Sequence, residues 1–256
     1  MRLEDAPEST RAWLACFRPV PEAPIKLLCL HHAGGNPGVF RPWANELPAS
    51  VEMLAVRLAG RDARLRERPA TSVAEIVTPL ARALAPLIDG HDLAIFGHSL
   101  GALLGFELAR ELRRQQLPNP KALILSGRNA PGTGRELALH KLGDRELVAD
   151  VQRIYGGIPK QILDEPDLLA LTLPLLRADL TVNETHQLAE EPPLACRLRA
   201  FGGVDDPHVS LAGLEAWGGH TSASFVCERA AGDHFYLGTP TGRRWILDRI
   251  ADAVSP

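Results

Sequence analysis

Several residue types that would point to particular function classes are scarce in this chain of 256 residues. There are four cysteines (Cys16, Cys29, Cys196 and Cys227), scattered with no CxxC pair and no Cys–His ligand spacing. That pattern predicts reduced, mostly buried thiols in a cytoplasmic protein, and no zinc or other metal site. Net positive charge is also lacking. The 28 basic and 31 acidic residues leave a formal charge of −3, without the positive footprint that nucleic-acid binding needs. The longest apolar run, Leu168–Leu176, contains Thr172 and Pro174. It falls far short of the roughly 18 unbroken apolar residues of a membrane span. The N-terminal stretch MRLEDAPESTRAW lacks the apolar segment of a signal peptide, so no export is expected. Lysine is confined to Lys26, Lys121, Lys141 and Lys160, and the other 24 basic residues are arginine. A coding bias of GC-rich DNA is the simplest account; an arginine surface for an acidic partner is the alternative.

What is present suits one folded unit spanning residues 1–256. With 45% hydrophobic and 23% charged residues, the chain can bury a full core. Apolar runs of strand length occur at Lys26–Leu30, Met53–Leu58, Leu93–Phe96, Ala122–Leu125, Leu198–Phe201 and Phe225–Glu228. They are continuously apolar rather than alternating, as strands covered on both faces are. Helical spacing of apolar residues fills Val73–Ile88 and Ala102–Arg114. Strands alternating with helices predict an α/β fold with a mostly parallel, doubly covered sheet. From Asp144 to Thr185 the pattern is helical with no good strand, and Pro174 is expected to interrupt its longest helix. Helices inserted between sheet strands often cover an active-site edge, and ordinary packing helices are the alternative.

The strongest chemical signal is Gly97-His98-Ser99-Leu100-Gly101, directly after the apolar run Leu93–Phe96 and before a helical segment. This is the strand–turn–helix setting of a nucleophile elbow. Ser99 is expected on a sharp, strained turn with its hydroxyl exposed, and Gly97 and Gly101 let strand and helix approach without Cβ clashes. A nucleophilic serine needs a base, and the base an orienting acid, in the chain order Ser, Asp or Glu, His. The segment Phe201-Gly202-Gly203-Val204-Asp205-Asp206-Pro207 supplies a loop carboxylate, with Asp206 preferred over Asp205 by its spacing from Gly203. Ala231-Gly232-Asp233-His234-Phe235 places His234 just past the last strand-like run. His208, His220, His140 and His186 read as surface or packing residues, and His98, next to the nucleophile, points away from the position of a base. Two N–H donors are needed for an oxyanion. Leu100, after the nucleophile, is one candidate; Ala33, in the loop His31-His32-Ala33-Gly34-Gly35-Asn36, is the other.

Together these motifs resemble the type II thioesterase family of the α/β-hydrolase superfamily. Its members are stand-alone editing hydrolases that accompany nonribosomal peptide and polyketide synthases in antibiotic or siderophore biosynthesis. The resemblance spans nearly the whole chain. It runs through Leu30–Gly35 with Phe40-Arg41-Pro42-Trp43, Arg57-Leu58-Ala59-Gly60-Arg61, Phe96–Gly101, and Leu125-Ser126-Gly127-Arg128 with Ala130-Pro131. It continues in Gly156-Gly157-Ile158-Pro159, Leu173-Pro174, Arg177-Ala178-Asp179, Trp217 and Gly232-Asp233-His234-Phe235. The resemblance implies a Ser99–Asp206–His234 triad and a mobile helical lid over about residues 130–185. It implies substrates held as thioesters on the phosphopantetheine arm of acyl- or peptidyl-carrier proteins, with no cofactor of the enzyme's own. His31, Ala59 and Asp233 depart from the family pattern, which has proline, proline and glycine there; none is a catalytic group.

The expected activity is therefore hydrolysis of aberrant or stalled acyl groups from carrier proteins, by a Ser-His-Asp acyl-enzyme mechanism in a monomer. A general carboxylesterase or an acyl-CoA thioesterase is the nearest rival, and a non-catalytic carrier-binding adaptor is a rival of another class. A cyclising domain cut from a synthase is disfavoured because no carrier segment is attached. Arg61, Arg64, Arg66 and Arg68 crowd one loop that could meet acidic carriers, but Asp62 and Glu67 dilute them, and a solvated loop is the preferred reading.

Overall fold

The computed structural model describes residues 1–133 and 137–255. Residues 134–136, within the expected lid range, lie outside the described residues, as does residue 256. In chain order the elements are α1 (Glu8–Trp13), β1 (Leu14–Ala15), β2 (Ile25–Leu30), β3 (Val51–Val56), α2 (Val73–Ile88), β4 (Asp92–His98), α3 (Leu100–Arg114) and β5 (Ala122–Ser126). Then come α4 (Asp144–Tyr155), α5 (Lys160–Leu163), α6 (Pro166–Thr185), β6 (Arg197–Gly203), α7 (Leu211–Glu215), β7 (Phe225–Ala230) and α8 (Pro240–Val254). The strands form one sheet in the order β1-β3-β2-β4-β5-β6-β7. All neighbours pair in parallel except β1 with β3.

Alternate side chains explain why the strand sequences are continuously apolar. Leu28 and Leu30 of β2 and Leu93 and Ile95 of β4 pack with Leu80, Leu84, Leu104 and Leu108 of α2 and α3. Leu27, Cys29, Ala94 and Phe96 face the other way, onto Phe40, Trp43 and the α8 residues Ile246 and Ile250. Each such side chain contributes about 1.5–3 kcal/mol by leaving water. Helix starts follow local chemistry. Ser72 Oγ accepts the Glu75 N–H and the Glu75 carboxylate accepts the Thr71 N–H, which caps α2. Pro240 at the first turn and the Thr239 hydroxyl, which accepts from Gly242 N–H, open α8.

Two expectations about local structure need correction, and one short strand was not anticipated. The second apolar run forms its strand at Val51–Val56, two residues before the expected span. The two-residue antiparallel β1 was not legible, being too short to show a period. Pro174 does not interrupt α6, which runs unbroken for 20 residues. The carbonyl four residues back, on exposed Ala170, loses its helical donor where water can replace it.

Helices α4 to α6 bury a separate apolar cluster around Leu139, Leu147, Val151, Ile158, Leu173, Leu176 and Leu180. Arg177 ties α6 to the start of α4 by donating to the carbonyls of His140 and Leu142 and to Asp144. No described helix is long and apolar enough to cross a membrane.

Candidate active site

Ser99 is the single residue between β4 and α3, with φ 56° and ψ −113°. For a residue with a Cβ this is a strained conformation, costing about 1–3 kcal/mol, and the surrounding packing enforces it. A Cβ on Gly97 would lie 2.0 Å from the Gly101 carbonyl oxygen, and one on Gly101 2.1 Å from that of Leu30. Only glycine permits this approach of strand, turn and helix. Because α3 starts at Leu100, earlier than the expected Ala102, the Leu100 N–H sits in the first helical turn and has no intrahelical acceptor.

Two loops at the same sheet edge carry Asp206 and His234. They follow β6 and β7 and meet backbone to backbone: Val204 N–H donates to Ala230 O and Asp205 N–H to Gly232 O. A side chain at Gly203 would collide with the carbonyls of Gly232 and Asp233, at 2.3 and 2.4 Å. Across this junction His234 Nδ1–H donates to Asp206 Oδ2 at 2.6 Å, and both residues are buried. Asp206 Oδ1 accepts the His208 N–H at 2.9 Å. Burial works to raise the proton affinity of the Asp206 carboxyl, but the hydrogen bond and charge of His234 and the His208 amide outweigh it and hold the group below its ordinary range. Asp205 is exposed.

The histidines set aside in the sequence have other partners. His140 pairs with Glu184, His186 with Glu107, and His220 packs against Phe106 and Trp217. His98 is buried, with Nδ1 hydrogen-bonded to Ser126 Oγ at 2.9 Å, and Ser126 Oγ is 2.8 Å from the Tyr236 hydroxyl. This polar chain under the site was not legible from sequence, because Ser126 and Tyr236 stand 110 residues apart. Burial keeps His98 and His32 neutral by lowering their proton affinity, and pushes His31 down to about 3.

Ser99 and His234 line one cleft of about 640 Å³, including its part open to solvent. His32, Ala33, Gly34 and Phe235 line it from the sheet-edge loops, and Val151, Tyr155, Ile158, Ile162, Leu176 and Leu180 from the inserted helical segment. The inserted segment contributes mostly apolar side chains, with Thr172 and Asn183 among them, while Ser99, His32 and His234 bring the polar groups, a combination that suits a hydrocarbon chain attached to a reactive carbonyl. The Tyr155 ring lies 5.0 Å from that of His234, a contact that no local motif predicts. In the floor loop, Gly34 N–H donates to Asp179 and Gly35 N–H to His32 O, while Ala33 N–H has no partner among the described residues.

The arginine-rich loop is less solvated than expected. Arg61 is buried against Asp179, and Arg64 is buried over the Trp13 ring and paired with Glu67. Arg68 stands 3.5 Å from Glu75, which leaves Arg66 as the exposed cation of the four with no ion pair among the described residues.

Residues 25–254 match the thioesterase domain family. Among curated proteins, the chain is 40% identical to the linear gramicidin dehydrogenase LgrE of Brevibacillus parabrevis, over 90% of this chain and 88% of that one. It is 37% identical to the thioesterase PikA5 of Streptomyces venezuelae, over 88% and 80%. The solved structure of RedJ, a thioesterase from the prodiginine biosynthetic pathway in Streptomyces coelicolor, superposes with a TM-score of 0.87 at 35% identity, covering 92% of each chain. LgrE's name is that of a dehydrogenase, yet here β2 is followed by His31–Asn36 and not by a Gly-x-Gly-x-x-Gly dinucleotide turn, and the strand–turn–helix unit carries Ser99. With a strained serine elbow sharing one cleft with a buried Asp–His pair, on an α/β-hydrolase sheet matched over nearly its whole length, the chain belongs to the thioesterase family of serine hydrolases.

Proposed function

We propose that the protein is a stand-alone type II thioesterase that removes stalled or aberrant acyl groups from the phosphopantetheine arms of carrier proteins in nonribosomal peptide or polyketide synthesis. The observation that carries this reading is the convergence of Ser99, held at φ 56°, and the 2.6 Å Asp206–His234 pair on one cleft with a mostly apolar wall. The pathway relatives support the carrier as partner.

With His234 Nδ1–H committed to Asp206, Nε2 is the nitrogen that takes the Ser99 proton as Oγ attacks the thioester carbonyl. The Ala33 and Leu100 N–H groups receive the oxyanion. Collapse of the tetrahedral intermediate breaks the C–S bond, and the thiolate takes the proton from His234. A thiol of pKa about 8.5 leaves readily, so little acid assistance is required. Water then attacks the Ser99 ester, giving its proton to His234, and the carboxylic acid departs as Ser99 recovers its hydrogen. Asp206 stays ionised throughout and stabilises the imidazolium. The helices α4 to α6 act as the lid that encloses the acyl chain.

Intact-protein mass spectrometry of carrier protein loaded with acetyl and longer acyl groups tests the assignment. Acyl loss with wild type that is absent with Ser99→Ala, and that outpaces hydrolysis of the matching acyl-CoA and simple esters, is the expected result. Survival of the acyl-carriers while small esters are cleaved would reduce the protein to a general esterase.

A further inference from the structure

The inserted helix α6 carries, beside the cleft, a buried carboxylate that the mechanism leaves without a role. Asp179 lies on α6 between the cleft-lining Leu176 and Leu180 and is 3% exposed. Its Oδ2 accepts from Gly34 N–H and from Arg61 Nη1, and its Oδ1 from Arg61 Nη2, each at 2.8 Å. Arg61 Nη1 also donates to Gly35 O at 2.8 Å. One carboxylate and one guanidinium thus fasten the inserted helix to two loops, those after β2 and β3.

The peptide groups in the first of these loops show what the fastening accomplishes. The His32 carbonyl is held by Gly35 N–H at 3.0 Å and by His31 Nδ1–H at 2.8 Å. Because the peptide is planar and trans, the Ala33 N–H on the other edge of that group must point the opposite way. The next peptide is held at both edges: His32 Nδ1–H donates to Ala33 O at 2.9 Å, and Gly34 N–H, at a residue with φ +74°, donates to Asp179. A Cβ on Gly34 would meet Leu176 at 3.3 Å, so the loop also rests on the helix that walls the cleft. A buried pair of this kind carries a desolvation cost that apolar packing would avoid, so its value is expected in the geometry it imposes.

We infer that Asp179 is a positioning residue: through Gly34 and Arg61 it sets the direction of the Ala33 N–H and makes the acyl wall and the oxyanion donor one rigid unit. This rests on the assignment of Ala33 as an oxyanion donor made above. Asp179 does not touch the reacting atoms. Removing it releases Gly34 N–H and the Arg61 tie on Gly35 O and leaves the loop held by its own histidines, which loosens the Ala33 N–H and weakens binding of the tetrahedral state more than binding of the thioester.

The test uses Asp179→Asn and Asp179→Ala in the full chain, with an acyl-pantetheine thioester as substrate and an alkyl boronic acid as a tetrahedral adduct former on Ser99. Loss of a single oxyanion donor typically costs about 10²–10³ in kcat, so a decline in kcat approaching about 10² is expected for Asp179→Ala, with KM within about threefold of wild type. The boronate inhibition constant should rise in parallel, at temperatures where circular dichroism shows both variants folded. Ala33→Pro deletes the donor itself. In that background Asp179→Asn should add little, because the two changes act on one interaction. Full kcat in Ala33→Pro would overturn the donor assignment. A large loss there, with Asp179→Asn at wild-type kcat and boronate affinity, would overturn the role of Asp179 alone. Should Ala33→Pro not fold, the boronate constant of Asp179→Asn decides: unchanged affinity in a folded variant overturns the proposal.

Discussion

Two carboxylates buried beside the cleft, Asp206 and Asp179, have partners of opposite character. Asp206, at the sheet edge, holds an imidazole 28 residues away that can gain and lose a proton. Asp179, on the inserted helix, holds a guanidinium 118 residues away that cannot, together with a backbone amide. The first arrangement serves a charge that must appear and vanish in each turnover. The second serves a shape that must not change. Similar burial and similar 2.6–2.8 Å hydrogen bonds therefore support different duties, and the partner decides which.

Substitutions should separate the two sides sharply. Ser99→Ala and His234→Ala are expected to lower turnover by about 10⁴-fold or more, measured as acyl release from loaded carrier. Asp206→Asn should cost about 10³–10⁴, because the amide no longer selects the Nδ1–H tautomer or stabilises the imidazolium. It should also alter the shape of the pH–rate profile. Asp179→Asn should lower the rate evenly over about pH 6 to 9, since Arg61 has no proton to exchange in that range. A distorted profile in Asp179→Asn would erase the distinction drawn between the carboxylates.

Acid should attack the two sides unequally as well. His31 is buried and neutral, its proton affinity lowered to about 3 from the usual 6.5 by burial and by Arg61. Below pH 6.5 the unfolded chain binds a proton there that the folded chain refuses, so stability is full above that pH and declines as pH falls from 6.5 towards 3. At pH 5 this histidine alone costs about 2 kcal/mol relative to neutral pH. His32 and His98 act in the same direction. Asp206, whose carboxyl is held below its ordinary value of 3.8, adds stability that is lost only as pH falls below about 4. Denaturant unfolding at pH 7.5 and pH 5 should show the early loss, and His31→Asn should reduce it. A stability curve flat between those pH values would contradict this account.

Local signals in the sequence reached the sheet edge and stopped short of the inserted helix. Val73–Ile88 was readable to the residue because its apolar spacing begins just after a serine that caps it. Ser99 was readable because the steric demands of its turn are written into Gly97 and Gly101. Asp206 was separable from Asp205 by spacing, and the difference in exposure between the two agrees with that preference. Asp179 lay in view within Arg177-Ala178-Asp179, but its bond to Arg61 depends on how two distant loops meet one helix. No periodicity or spacing encodes such a meeting. Pro174 misled for a related reason: a local helix-breaking rule yields where the freed carbonyl faces water.

The smallest effect concerns Tyr155, which the inserted helix α4 places over His234. Two roles are open to a phenol there: to give a proton to the departing thiolate, or to cover the imidazole with its ring. Burial pushes the hydroxyl up to about 12, whereas a pantetheine thiol sits near 8.5, so proton transfer from the phenol would run uphill by more than three orders of magnitude. Cover is the role that the chemistry permits. Tyr155→Phe, which keeps the ring, should hold kcat within about twofold, while Tyr155→Ala should lower it about tenfold by admitting water to the acyl cleft. A loss in Tyr155→Phe as large as that in Tyr155→Ala would assign the proton to the helix side. It would then break the division in which the sheet edge moves charge and the inserted helices hold the geometry still.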